Sequence, residues 1–176
     1  VRAIRIDKFV ASGAFADVWK ARYRDRDMDV AVKKMRRRRN CAGVIVEREL
    51  NHRNIIGFVG SYWTRDKFRV VVLEWAAGGD LFNWRNEMTV VPVADVWRVT
   101  GDVLRGLRYL HDVVSVVHLD IKLENCLRMS DGRTVICDFD FARRIGTMTA
   151  HWIGTGPCMC PEIAGLDGQC SLPACA

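Results

Sequence analysis

The sequence predicts an α+β fold organised in two lobes, and three observations carry that expectation. Runs rich in β-branched and aromatic residues fill the part of the chain before Gly78-Gly79. The paired glycines break that pattern. Beyond them, apolar residues recur at helical spacing. The chain has 176 residues, 49% hydrophobic and 27% charged, which is enough apolar material for one core. With only 14 glycines and 4 prolines it is neither collagen-like nor a low-complexity disordered chain.

Each element follows in turn. Ile4–Val10, Phe15–Ala21 and Val30–Val32 read as strands, separated by a Ser12-Gly13 turn and an Arg24-Asp25-Arg26-Asp27 turn. A short helical stretch is expected around Val44–Leu50. Two further strands, Ile55–Trp63 and Phe68–Leu73, flank a polar Thr64-Arg65-Asp66-Lys67 turn. Asp80 stands where a carboxylate can cap the next helix. Val96, Val99, Val103, Leu107 and Leu110 then predict an amphipathic helix ending near His111. Asn125–Arg128 and Thr134–Cys137 predict a hairpin around Ser130-Asp131-Gly132. From Asp138 onward the pattern is irregular, and Leu166–Ala176 shows none.

The net charge of +6, from 27 basic and 21 acidic residues, suits an anionic partner such as a nucleotide or phosphoprotein. Six positive charges fall in Lys33–Arg39. Such a run reads first as a solvated loop and second as a nuclear-localisation signal. Nucleic-acid binding is not expected, because no aromatics interleave with these charges. The seven cysteines are odd in number and form no C-x-x-C pair, which favours reduced thiols inside a cell over a zinc site or disulfide framework. No apolar run approaches the roughly 18 residues of a membrane helix, and the first residues show no signal-peptide pattern. An intracellular chain is therefore expected, cytoplasmic or nuclear.

Three segments carry chemistry. Ala11–Val18 is a tight turn of small residues whose backbone N–H groups can approach phosphate oxygens, although an ordinary hairpin looks much the same. Fifteen residues past Val18, Lys33 ends the Val30-Ala31-Val32 strand and can aim an ammonium at an anion. The most specific segment is His118-Leu119-Asp120-Ile121-Lys122-Leu123-Glu124-Asn125. There Asp120 can orient or deprotonate a hydroxyl, Lys122 can neutralise a transferring phosphoryl group, and Asn125 can hold a divalent metal. Thirteen residues after Asn125, Asp138 offers a second carboxylate oxygen donor in Cys137-Asp138-Phe139-Asp140. The competing reading is a polar loop followed by an Asp-rich turn.

These segments, in this order from about Val10 to Glu162, resemble the eukaryotic protein kinase family. Ala11–Val18, with Gly13, resembles the glycine-rich loop, and Lys33 the ATP-contacting lysine. Val72–Leu81 resembles the gatekeeper and hinge. The resemblance implies Leu73 as gatekeeper, the Glu74 and Ala76 backbone on adenine, and Asp80 at the ribose. It also implies Val18, Ala31 and Leu127 on the two faces of the adenine ring. His118–Asn125 resembles the catalytic loop, Asp138-Phe139-Asp140 the metal-binding segment, and Gly154–Glu162 the end of the activation segment. Lys122 and Thr155 match the serine/threonine-specific branch.

Several positions depart from the family. Ala11 and Ala16 replace two loop glycines, which would strain any position needing φ > 0. Gly43 occupies the expected place of the glutamate partner of Lys33, leaving Glu47 or Glu49 to substitute. Leu119 replaces the arginine beside Asp120 and cannot receive a phosphate on Thr147 or Thr149. Asp140 replaces a glycine and adds a third carboxylate. Cys158 and Cys160 precede Pro161-Glu162.

The resemblance therefore implies a protein-kinase-like two-lobed fold. An antiparallel five-stranded N-lobe would span about 1–73, a hinge 74–80, and an incomplete helical C-lobe 81–176. It implies a protein serine/threonine kinase using ATP with Mg²⁺ or Mn²⁺ on a protein substrate. Asp120, Lys122 and Asn125 would be catalytic, and Asn125 and Asp138 would hold the metal. The chain is expected to be truncated after the activation segment, which would uncover the apolar helix face and invite a protein partner. Alternatives are a pseudokinase-like module that binds ATP or protein without turnover, and a product with no stable fold.

Overall fold

Alternating side chains and β-branched residues set the first part of the chain into strands. The computed structural model describes residues 4–13, 15–36, 48–149, 154–155, 158–159 and 170–171. The chain divides into two compact units, Val1–Asn40 with Ile56–Ala77, and Cys41–Ile55 with Gly78–Ala176.

In the first unit, β1 (Ile4–Ser12), β2 (Ala16–Tyr23), β3 (Met28–Met35), β4 (Phe58–Trp63) and β5 (Arg69–Glu74) form one antiparallel sheet. Its order is β1-β2-β3-β5-β4. Ala21, Val30, Val32, Val70 and Val72 make a buried core on one face, joined by Trp19, Tyr23, Met28 and Tyr62. Burying each such valine contributes about 1.5–3 kcal/mol. The five expected strands are all present and mostly longer than the apolar runs, because flanking polar residues such as Lys34 continue the ladder.

The β1–β2 turn is closed by Gly13 N–H donating to the Ala16 carbonyl (2.8 Å) and Arg36 N–H to that of Phe15 (2.8 Å). Neither Ala11, Gly13 nor Ala16 has positive φ, so the expected strain of the two alanines does not arise. The basic run is also not a simple loop. Lys33, Lys34 and Met35 lie in β3, Lys33 is buried, and the Lys34 ammonium stands 5.1 Å from the Phe68 ring centre. Arg37–Arg39 lie outside the described residues, as do Gly43, Glu47, Cys160, Pro161 and Glu162.

In the second unit, Asp80 caps helix α1 (Leu81–Asn86) through the Asn83 N–H (2.8 Å). Helix α2 (Val93–Arg108) runs on into a π-helical turn, Tyr109–Val113. Short strand β6 (Val116–Val117) precedes the hairpin of β7 (Cys126–Arg128) and β8 (Thr134–Ile136), which forms where the sequence predicts it. The stretch after Asp138 is less irregular than expected. A 3₁₀ turn, Phe139–Phe141, leads to β9 (Arg143–Arg144), which pairs with β6. Then β10 (Met148–Thr149) pairs with β11 (Cys170–Ser171).

The predicted apolar stripe of α2 forms in part: Leu110 is fully buried, and Val99, Val103 and Leu107 are partly buried. Val96 is 48% exposed, and its neighbours Trp97 and Leu104 are 74% and 59% exposed. Beside that stripe the helix buries Asp102 and Gly106, which the apolar pattern does not include. A Cβ on Gly106 would come within 2.9 Å of both the Asn54 carbonyl oxygen and the Ile136 side chain, so the missing side chain allows close packing on the hairpin. Among the described residues no helix is long and apolar enough to cross a membrane.

Candidate functional site

The residues expected around a nucleotide fall into two groups, one in each unit. In the first unit the sheet register gathers Val18, Ala31, Lys33 and Leu73 on one face. Val18 lies opposite Lys33, and Ala31 opposite Leu73. Ala31 and Lys33 alternate with the core residues Val30 and Val32, so they point away from that core. Glu74 donates its backbone N–H to the Gly57 carbonyl (2.9 Å), so that N–H is already used within the unit.

In the second unit, Gly78 N–H donates to the Arg128 carbonyl (2.9 Å) and Arg128 N–H to that of Gly79 (2.8 Å). This zips the glycine pair onto β7 and sets Asp80 beside Leu127. Gly79 has φ +67, a conformation glycine adopts freely. Asp80 is more committed than expected, since its second carboxylate oxygen accepts from the Asn83 amide (2.7 Å).

The His118–Asn125 segment forms the densest polar arrangement. Asp120 and Asn125 are buried. Asn125 donates its amide to the Asp120 carbonyl (2.8 Å) and carboxylate (2.9 Å). The Lys122 ammonium lies 2.9 Å from that carboxylate and 2.7 Å from the Thr155 hydroxyl, which donates to the other carboxylate oxygen at 2.6 Å. Burial pushes the Asp120 carboxyl up, but Thr155, Lys122 and Asn125 outweigh it and hold its pKa below the ordinary 3.8. Burial pulls the Lys122 ammonium down, but Asp120 more than restores it, so its pKa is raised above 10.5. At neutral pH the pair is ionised.

Backbone geometry holds this arrangement. Leu119 takes φ +68, and Gly154, at φ +108, passes directly over its carbonyl. A Cβ at Gly154 would overlap the Leu119 oxygen, so only glycine brings Thr155 to Asp120. His118 is buried, accepts the Asp120 N–H at Nδ1 (3.2 Å) and lies 2.9 Å from the Cys137 carbonyl through Nε2. Those partners require a neutral ring protonated at Nε2. Burial is the main cause that lowers its pKa below 6.5. Phe139 meets the ring edge-on at 4.9 Å.

Asp138 follows Cys137 with φ +64, whereas Asp140 lies inside the 3₁₀ turn. The left-handed conformation thus falls on Asp138, and the missing glycine at position 140 imposes no such demand. Asn125 spends both amide hydrogens on Asp120, so its side-chain oxygen is not used in those bonds. Among the described residues no cluster of three or more His, Cys, Asp or Glu could hold a metal alone. Two oxygen donors without a full cage suit Mg²⁺, which takes one or two protein ligands plus substrate phosphates. Of the two acids weighed as partners of Lys33, Glu49 pairs with Arg144 at 2.8 Å. Glu47 lies outside the described residues. Sequence reasoning passed over the positioning roles of Gly154 and Asn54, whose partners lie tens of residues away.

A family model described as "Protein kinase domain" matches residues 4–171. The chain is 27% identical over 164 residues to the serine/threonine-protein kinase STY46 of Arabidopsis thaliana, covering 88% of this chain and 28% of that protein. It is 34% identical over 128 residues to the meiosis-specific serine/threonine-protein kinase mek1 of Schizosaccharomyces pombe, covering 69% and 28%. It is 30% identical over 175 residues to the cell division control protein 7 of the same yeast, covering 94% and 16%. The chain thus spans less than a third of the length of each of these relatives.

Proposed function

The chain belongs to the protein kinase family, and from that membership we propose that it transfers the γ-phosphoryl group of Mg-ATP to serine and threonine hydroxyls of proteins. The observation that carries the reading is the buried Asp120 carboxylate, kept ionised by Lys122, Asn125 and Thr155. An ionised, oriented carboxylate accepts a hydrogen bond from the substrate hydroxyl and aims its oxygen at phosphorus. Lys122 supplies positive charge to the transferring group, and Lys33 grips the α- and β-phosphates. Asn125 and Asp138 would hold Mg²⁺, which when bound neutralises charge on the phosphates. Val18, Ala31 and Leu127 would enclose the adenine, with the Glu74 carbonyl and Ala76 backbone on its edge, Gly13 over the phosphates and Asp80 at the ribose. Lys122 with Thr155 supports a serine/threonine preference, because the pair occupies the space beside Asp120.

The test is transfer of labelled phosphate from ATP to a basic protein substrate, comparing the natural chain with Asp120→Asn. The variant is expected to lose at least about 100-fold in kcat. Equal rates, or a Mg-ATP-induced thermal shift without any transfer, would overturn the catalytic reading.

A further inference from the structure

Seven polar or charged side chains are buried among the described residues: Lys33, Asn54, Asp102, His118, Asp120, Asn125 and Thr134. The proposed chemistry uses or explains Lys33, His118, Asp120 and Asn125. The remaining three form a second buried cluster, and none of them touches the first directly in the hydrogen bonds given above. A buried carboxylate is costly unless donors surround it, so Asp102 calls for a reason.

Its partners supply one. Asp102 accepts the Thr134 backbone N–H at 2.8 Å. Asn54 donates its side-chain amide to the Thr134 carbonyl at 2.9 Å, and its backbone carbonyl accepts the Ile136 N–H at 2.9 Å. Three backbone groups along the outer edge of β8 are therefore taken by one helix side chain and one loop residue. A two-stranded hairpin is marginal alone, and its open edge needs partners. Gly106, one turn after Asp102, lets α2 approach closely enough to reach that edge.

The strand so held leads straight into the site. Cys137 follows Ile136, donates its N–H to the Asn125 carbonyl (2.9 Å) and presents its own carbonyl to His118 (2.9 Å). His118 accepts the Asp120 N–H, and Asn125 holds the Asp120 carboxylate. Asp138 is the next residue. We propose that Asp102, with Asn54, is a positioning residue that clamps β8 and thereby sets Asn125, Asp120 and Asp138 in register. The inference rests on the kinase reading for its link to rate, but its geometry is testable apart from activity.

The experiment compares Asp102→Ala, Asp102→Asn and Arg105→Ala by amide NMR and by steady-state kinetics, normalised to nucleotide-binding sites. In Asp102→Ala, the Thr134 amide should lose exchange protection and the Cys137, Asp120 and Asn125 resonances should move. Its kcat should fall about 10-fold or more with the ATP KM within about 2-fold. Asp102→Asn keeps an oxygen for the Thr134 N–H and should recover most of the rate. Arg105→Ala removes only an exposed cation, 2.7 Å from the carboxylate, and should change neither readout. The clamp is rejected if Asp102→Ala lowers the melting temperature yet leaves those resonances and the normalised kcat unchanged. It is equally rejected if Asp102→Asn is as damaged as Asp102→Ala. Should Asp102→Ala not fold, Asp102→Asn against Arg105→Ala decides by the same resonances. Absence of transfer by the natural chain would sink the kinase reading alone, and the resonances would still judge the clamp.

Discussion

Asp17 in the first unit and Asp120 in the second sit in the same three-part arrangement. Each carboxylate accepts from one cation and one hydroxyl, and in each the cation also donates to that hydroxyl. Around Asp17 the partners are Arg36 (2.6 Å) and Ser12 (2.7 Å), with Arg36 also on the Ser12 hydroxyl. Around Asp120 they are Lys122 and Thr155. Asp120 also accepts the Asn125 amide (2.9 Å), and the larger difference is water. The Asp17 and Arg36 side chains are 28% and 45% exposed, those of Asp120 and Lys122 only 2% and 21%. An exposed triplet is screened by salt and exchanges its partners with solvent. A buried one cannot lose a member without leaving another group unpaired. The same three groups therefore brace a turn in one place and hold a buried charge in the other.

If that contrast holds, the largest loss comes from breaking the buried triplet through its backbone. Gly154→Ala places a Cβ against the Leu119 carbonyl at a backbone conformation that alanine disfavours. The conformation alone costs about 1–3 kcal/mol. Thr155 is carried off Asp120, and kcat should fall about 100-fold in the transfer assay. A variant with full activity would show that Thr155 need not meet Asp120.

Thr155→Val comes next, since it keeps the shape and deletes one donor. A hydrogen bond to a charged group contributes about 1.5–3 kcal/mol, or roughly 10- to 100-fold in rate. Thr155 is among the groups that hold the Asp120 carboxyl below 3.8, so its removal raises that pKa. The acid limb of the kcat–pH profile should then move to higher pH. A limb that stays in place would separate Asp120 from the rate.

These expectations mark how much of the molecule was legible in its sequence. The five strands, the hairpin and the Asp120–Lys122–Asn125 spacing were readable because each depends on neighbours within a few residues. The buried face of α2 was legible only in part. A periodic reading finds Val99, Val103, Leu107 and Leu110, which are partly or fully buried, but it passes over Asp102 and Gly106, which meet β8 by a hydrogen bond and by close approach. Pairing of Val116–Val117 with Arg143–Arg144, and of Glu49 with Arg144, joins segments too distant for any local pattern. Gly154 was visible within a motif, but its reason, the Leu119 carbonyl, is a tertiary contact.

A smaller effect is expected from the ring that ties the buried site to its hairpin. His118 has a folded pKa below the 6.5 of the free side chain, chiefly because it is buried. Its neutral form therefore contributes full stability above pH 6.5. Below that, the unfolded chain binds a proton that the folded chain does not, and stability falls by up to about 1.4 kcal/mol per pH unit. His118→Gln keeps a donor for the Cys137 carbonyl and cannot titrate. Melting temperatures between pH 7 and pH 5 should fall more steeply for the natural chain than for this variant. Parallel curves would mean that His118 takes up its proton in the fold as readily as in the unfolded chain.

The smallest effect should come from Arg36→Ala, the exposed counterpart of these changes. The Arg36 backbone N–H still reaches the Phe15 carbonyl, and Gly13 still donates to Ala16, so the turn keeps both of its closing hydrogen bonds. Only the guanidinium is lost, from a site where water can replace it at Asp17 and Ser12. The melting midpoint should stay within about 2 °C of the natural chain, and the ATP KM should change by less than about 3-fold. Raising salt from low to high concentration should shrink even that difference, because the lost interaction is one that ions already screen. A drop as large as that of Thr155→Val would break the comparison. It would mean that the outer strap, although wet, fixes the loop as firmly as burial fixes Asp120.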